Sequence, residues 1–233
     1  MPIYALNEQL VFPSPERAEP PGILAIGGDL SVERLLLAYR HGIFPWYSED
    51  EPITWWSPDV RAVLYPADLK VSDSMRRILK SGRFTVTFDT AFRSVIRSCK
   101  TAKRKGQAGT WITPDMQEAY GRLHEAGYAH SVETRQNGEL VGGLYGVSLG
   151  RAFFGESMFA RASNASKVAL ITLVERLRKR RVSMIDCQVP TEHLMSLGAV
   201  AISRKDFIRQ LKEAVSHETL RGSWTTLMEE PAP

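Results

Sequence analysis

The sequence predicts an α/β (α+β) fold, a mixed sheet with helices packed on it, preceded by a small irregular N-terminal lobe. Three observations predict it. Tyr128 to Arg135 alternates in polarity, Asn137-Gly138 is a two-residue turn pair, and Glu139 to Leu149 returns, which together read as a hairpin. A long amphipathic stretch, Asn164 to Arg180, separates two apolar runs, Ala152 to Met158 and Val182 to Val189, as a crossover helix separates two strands. Residues 1–62 are instead crowded with proline and glycine, including Pro13, Pro15, Pro20, Pro21, Gly27, Gly28, Pro45, Pro52 and Pro58.

The elements follow in order. Within the first lobe, Ser31 opens a helix that runs to Arg40 and stops at Gly42. A boundary near Asp59 to Ala62 divides the chain into a lobe of residues 1–62 and a larger domain of residues 63–233. Ser72 to Lys80 reads as a helix ending at Gly82. Asp89 caps the next, whose Phe92, Val95, Ile96 and Cys99 repeat at i, i+3, i+4 and i+7. Thr113-Pro114 opens a third helix, with proline at its first position and Gly127 closing it. After the hairpin come the strand Ala152–Met158, the helix capped by Asn164, and the strand Val182–Val189. A short helix (Thr191–Leu197), a strand (Ala199–Ser203) and a helix (Lys205–Val215) complete the chain.

Composition excludes several classes. The 233 residues are 43% hydrophobic and 24% charged, ordinary for a globular protein. No apolar run approaches the ~18 residues that span a bilayer. Met1-Pro2-Ile3-Tyr4 shows no basic region before an apolar core, so no signal peptide and no membrane partner are expected. Two cysteines, Cys99 and Cys187, make no disulfide framework, and a reducing cytoplasm is the expected location. The five histidines are scattered, so no metal is expected. Neither a phosphate-binding G-x-x-x-x-G-K-[ST] loop nor a G-x-G-x-x-G turn is present, and no cofactor is expected.

The net charge of +4 is unevenly spread. Ten Lys or Arg residues and a single acid, Asp89, lie between Ser74 and Gly109, against 20 basic and 25 acidic residues elsewhere. Arg93, Arg97 and Lys100 fall opposite the apolar side of their helix. This outward basic stripe suits a polyanion, although such runs are as often a plain solvated surface.

Candidate chemistry lies in three places. Asp186 and Gln188 stand two apart in an apolar strand, so both are expected on one face. A carboxylate is costly to bury there without a task. A hydrogen-bonded structural pair is the alternative. Glu156 lies in a second apolar run, Phe153-Phe154-Gly155-Glu156-Ser157-Met158-Phe159. Trp46 and Trp111 read as base-stacking residues, worth ~1–3 kcal/mol per base. Trp55-Trp56 reads as packing between the two lobes.

Eight motifs in order resemble one family: Phe12-Pro13-Ser14-Pro15, Leu24-Ala25-Ile26-Gly27-Gly28-Asp29-Leu30, Gly42-Ile43-Phe44-Pro45-Trp46, Trp55-Trp56-Ser57-Pro58, Gly109-Thr110-Trp111-Ile112, Gly155-Glu156-Ser157-Met158-Phe159, Asn164-Ala165-Ser166-Lys167 and Ile185-Asp186-Cys187-Gln188. They resemble the bacterial leucyl/phenylalanyl-tRNA–protein transferases. The resemblance implies a domain of the N-acetyltransferase (GNAT-like) type behind the small lobe. It implies transfer of Leu or Phe from Leu-tRNA or Phe-tRNA to acceptor proteins beginning with Arg or Lys, which marks them for degradation by the N-degron pathway. Trp46 and Trp111 would hold the 3′-terminal adenosine, and Phe153, Met158 and Ile185 would line the pocket for the carried side chain. Leu144 and Leu173 would line it too, where the family leads one to expect bulkier or more flexible residues. Asp186 and Gln188 would assist the attacking amine, with Glu156 shaping the same centre. Arg76, Arg77, Lys80 and Arg83 match the family's basic helix in character, and Arg93, Arg97 and Lys100 extend the surface for the tRNA backbone.

The chemistry is consistent with this. The tRNA ester is already activated, and a protein α-amine of pKa ~7.7–8.0 is partly neutral at pH 7, so a weak base and good positioning suffice. The acceptor's Arg or Lys needs an acidic partner, Glu156 or Asp186. An apolar pocket separates side chains by only ~1–3 kcal/mol per methylene, so Met should be carried as well as Leu and Phe. Two rival readings stand. An acyl-CoA-dependent N-acetyltransferase would need a glycine-rich turn where Arg161 to Lys167 has no glycine. A non-catalytic tRNA-binding module would give Asp186 and Gln188 no task.

Overall fold

A computed structural model describes residues 3–102 and 110–228. In chain order the strands and helices are β1 (Tyr4–Leu6), β2 (Ile23–Gly27), α1 (Val32–Arg40), β3 (Phe44–Pro45), β4 (Thr54–Trp56), β5 (Val60–Leu64), α2 (Asp73–Lys80), β6 (Thr85–Phe88), α3 (Phe92–Thr101), α4 (Pro114–Glu125), β7 (Ala129–Gln136), β8 (Glu139–Leu149), β9 (Ala152–Ala160), α5 (Ala165–Lys179), β10 (Met184–Gln188), α6 (Glu192–Ser196), β11 (Val200–Ser203), α7 (Arg204–Ala214) and α8 (Trp224–Leu227).

Two sheets organise them. Strands β1-β2-β4-β3 form a small sheet, and β11-β5-β10-β9-β8-β7-β6 form a seven-stranded mixed sheet. The large sheet is antiparallel except where β9 and β10 run parallel, joined over α5 as a crossover unit. Its two faces carry different cores. Val63, Val147 and Phe154 face Phe92, Val95 and Tyr120 of α3 and α4. Leu64, Leu144, Phe153 and Ile185 face Leu170, Leu173, Val174 and Leu177 of α5.

Local chemistry explains the boundaries. Ser31 Oγ accepts from Arg34 N at the start of α1, Ser72 does the same for α2 and Thr113 for α4. Gly42 follows α1 at φ 73°, a left-handed conformation that favours glycine. Asn137-Gly138 makes the β7–β8 hairpin with both residues at positive φ, as a type I′ turn requires.

Several expectations are corrected. The turn-rich lobe carries four short strands that its prolines hide, and β5 starts at Val60, so residue 62 falls inside a strand of the large sheet. Strand β6 was not expected. Asp89 does not cap α3. Its carboxylate instead accepts from Ser131 N, Trp224 N and His130 Nδ1, while the buried Glu133 accepts from Thr90 N and Ala91 N at that helix start. Asn164 precedes α5 at φ 69° with no side-chain cap. Trp55 packs edge-on to Phe12 and its indole N–H donates to Gly27 O, and it belongs to the core cluster that continues into the larger domain.

Candidate active site

Two irregularities in neighbouring strands build the site. Along β10, Ile185 pairs with Leu64 and Asp186 with Val63, but Gln188 pairs with Ala62, so β10 carries one extra residue. Along β9, Gly155 pairs with Gly146 and Ser157 with Tyr145, so Glu156 is an extra residue there. Such bulges bend a strand and re-aim its side chains. The β9–β10 pairing ends at Asp186 and Phe154, and beyond that point the strand ends open a gap. Ligands in α/β sheets bind at the carboxyl ends of strands where the topology reverses, and β9 and β10 meet that description.

The bulge in β10 overturns the expectation that Asp186 and Gln188 share a face. Asp186 points away from the gap and is fully buried. Its Oδ1 and Oδ2 accept from Arg61 Nε and Nη2 at 2.8 and 2.7 Å, and Oδ1 also accepts from the Gln188 backbone N–H at 2.8 Å. Gln188 takes φ 62°, a strained conformation for a side-chain-bearing residue, and that backbone bond holds it there. Its side chain faces the gap, with Nε2 donating to Glu156 Oε1 at 3.1 Å.

Glu156 is the hub. The Tyr39 hydroxyl lies 2.7 Å from its Oε1 and the Tyr120 hydroxyl 3.0 Å from its Oε2, and the two hydroxyls also touch each other, so two phenolic protons serve three contacts unless the Glu156 carboxyl carries a third. Burial raises the Glu156 pKa to about 7, with the Asp186 charge adding and the tyrosine bonds opposing. Burial likewise pushes both tyrosines well above the usual phenol range. Cys187 is driven to about 12, by burial first and the Asp186 charge second, so its thiol stays protonated.

Two cavities meet at this hub. One, of about 250 Å³, is lined by Leu144, Phe153, Met158, Leu170, Leu173 and Ile185 among others. The second, of about 310 Å³, is lined by Phe44, Pro45, Trp46, Trp111, Val189 and others. Glu156, Cys187, Gln188, Thr191 and Leu194 line both. The five apolar positions expected around a carried side chain thus surround one cavity, and the two tryptophans expected to stack bases surround the other. Trp46 is held at the rim by Trp56, whose indole N–H donates to Trp46 O and whose ring lies 5.2 Å away.

Arg61 was missed. Its guanidinium is sandwiched between Phe44 at 4.8 Å and Phe207 at 4.4 Å, and its Nη1 donates to Gly42 O at 3.0 Å. It ties Asp186 to the segment that carries Trp46. The signal was present, a charge inside the apolar run Val60-Arg61-Ala62-Val63-Leu64, the same signal that drew notice to Asp186. Tyr39 and Tyr120 had no such signal, since a buried tyrosine in a helix reads as core.

The basic stripe is only partly free. Arg76, Arg77, Lys80, Arg83 and Arg97 are exposed and Lys100 is half-buried. Arg93 is paired with Glu118 at 3.2 Å and Glu125 at 2.9 Å across to α4. Lys103, Arg104 and Lys105 lie outside the described residues. Among the described residues no group of three or more His, Cys, Asp and Glu side chains is placed to hold a metal ion, and no helix is long and apolar enough to cross a membrane.

The fold is shared with FemX, whose crystal structure superposes at TM-score 0.51 with 10% identity over 78% of this chain and 71% of that one. The seven-stranded mixed sheet, flanked by helices and opened between its parallel strands, carries a buried polar centre between two cavities. The chain belongs to the leucyl/phenylalanyl-tRNA protein transferase family. The family model matches residues 63–212, and that of the family's N-terminal domain matches residues 28–59. Proteins named leucyl/phenylalanyl-tRNA--protein transferase are 55% identical in Solidesulfovibrio magneticus (100% of this chain, 96% of the relative), 57% in Syntrophobacter fumaroxidans (96% and 96%) and 56% in Myxococcus xanthus (97% and 97%).

Proposed function

We propose that this chain transfers Leu or Phe, and also Met, from aminoacyl-tRNA to the α-amino group of proteins that begin with Arg or Lys, in the cytoplasm, marking them for degradation by the N-degron pathway. The observation that carries the reading is that the apolar cavity and the tryptophan-rimmed cavity meet at Glu156 and Gln188. The aminoacyl side chain sits in the first and the terminal adenosine against Trp46 and Trp111, so the ester joining them lies over that pair. The lobe of residues 1–62 supplies Phe44, Pro45 and Trp46 to the rim, and the domain of residues 63–233 supplies Trp111 and the pocket.

The amine attacks the ester carbonyl. A C–N bond forms, the C–O bond to the ribose breaks, and the ribose oxygen leaves as a hydroxyl. Gln188, with its amide N–H given to Glu156, keeps Oε1 for an N–H of the incoming amine. Glu156, near-neutral in pKa, takes the amine's proton and returns it to the ribose oxygen. Asp186 is a positioning residue, because its oxygens are committed to Arg61 and the Gln188 backbone. Glu156, which lines both cavities where Asp186 lines neither, is the acid that faces the acceptor's Arg or Lys. The exposed cations of α2, with Arg97 and Lys100, contact the tRNA backbone.

The test is transfer of labelled Leu from charged tRNA to a peptide with N-terminal Arg, beside the same peptide with its amine acetylated. Label on the free peptide alone is expected. No label on either would end this reading.

A further inference from the structure

Phe153, one of the residues that line the apolar cavity, is backed by a residue beyond 212, where the match to the family model ends. Phe153 lines the cavity and is itself buried. One side of its ring lies over the bare backbone of Gly146, where an added Cβ would come within 2.6 Å of Phe153 Cζ. Behind it stands Trp224, fully buried, with ring centroids 5.8 Å apart and a 34° tilt.

Trp224 is fixed by three contacts. Its indole stacks on His130 at 3.8 Å and 3°. Its backbone N–H donates to Asp89 Oδ2 at 2.8 Å, the oxygen that also accepts from His130 Nδ1 at 2.9 Å. Its indole N–H donates to Leu220 O at 3.0 Å. A short C-terminal helix is thereby locked against the sheet, with its one large ring behind a cavity wall.

We infer that Trp224 is a specificity-determining residue, setting the depth of the aminoacyl cavity by denying Phe153 room to retreat. The inference rests on the functional reading above, in which that cavity holds the carried side chain. Gly146 blocks retreat on one side and Trp224 on the other, so the cavity is held at a size that discriminates between side chains. Apolar pockets separate substrates by roughly ten-fold or more per methylene. A Phe153 ring that partly relaxes into vacated space should yield somewhat less, because cores collapse only in part.

The experiment compares kcat/KM for Leu and Phe transfer by the full chain, its Trp224→Leu and Trp224→Phe variants, and Trp55→Phe as a buried control in the small lobe. The Phe-to-Leu ratio is expected to rise about five-fold in Trp224→Leu, less in Trp224→Phe, and to stay within about two-fold in Trp55→Phe. A purely structural role would lower both substrates equally. Folded Trp224 variants whose ratio stays within about two-fold of the parent chain's would overturn the inference. Should Trp224→Leu fail to fold, Trp224→Phe decides on its own, any rise beyond two-fold supporting the inference. A parent chain that transfers neither residue would defeat the functional reading, and this inference with it.

Discussion

Arg61 grips both carboxylate oxygens of Asp186 on the side of β10 turned away from the cavities, and neither residue is more than 1% exposed. The pair therefore acts on the site through the backbone. Removing one partner leaves an unpaired buried charge, which costs about 3–5 kcal/mol. Arg61→Ala is expected to lose stability on that scale in urea unfolding. Arg61→Met with Asp186→Leu should recover much of the stability while transfer stays low, because the bulge at Gln188 loses its anchor. A double variant with near-normal transfer would show that the anchor is dispensable.

Asp186→Asn keeps the shape but weakens the charge-assisted bonds. Its kcat should fall at least ten-fold with little change in the KM for tRNA. A near-normal rate would remove Asp186 from the positioning of Gln188.

Glu156 has a pKa near 7 in the folded chain, against 4.5 as its ordinary value. If its carboxylate takes the amine's proton, activity should rise with pH through a limb near 7, and Glu156→Gln should flatten that limb. The stability effect has the opposite sense. A raised folded pKa favours the protonated form, so its contribution is full below 4.5 and is lost as pH rises through about 7. Thermal midpoints of the native chain should therefore decline over that window relative to Glu156→Gln. Parallel curves for the two chains would show that Glu156 does not titrate there.

On the basic face, Arg76→Ala and Arg77→Ala should each lower tRNA affinity and reduce the salt slope by about 0.7–0.9, the loss of one phosphate contact. Arg93→Ala should change it far less, since Glu118 and Glu125 already neutralise that guanidinium. Equal losses at all three positions would mean that the tRNA displaces those acids.

Cys187 lines both cavities yet should resist alkylation. With a pKa of about 12, only about one thiol in ten thousand is ionised at pH 8, and the thiolate is the reactive form. Iodoacetamide at pH 8 should label it quickly only after unfolding. Rapid labelling of the native chain would contradict the half-buried, protonated thiol.

Periodicity made much of the larger domain legible: the hairpin, the crossover helix, the strands after it and the Ser and Thr caps. Strand β5 escaped because its run carries the charge of Arg61 and follows the turn signals of the lobe, and β6 because its four residues sit between Gly82 and Asp89 with two threonines among them. Asp89 was misread because an acid before a helix suggests a cap, whereas here it meets His130 and Trp224 from distant parts of the chain. Within the site, strict alternation would put Phe153 and Met158 on opposite faces, and Asp186 and Gln188 on one. The structure does the reverse in both cases, for the same reason.

That reason is a matter of counting. Each of the two site strands holds one residue more than its neighbour, so each changes phase at the gap. Side chains before and after that point follow different parities, which lets a continuous core strand turn one polar group into a cavity without breaking its buried run. The arrangement tolerates exchange of residue types more readily than change of length. Deleting Cys187 would abolish the two-against-one count in β10 and with it the bulge that Asp186 Oδ1 holds at Gln188, and a one-residue deletion in β9 at Glu156 would remove the hub itself. The spacing of the strands, as much as the identity of their residues, encodes the active centre.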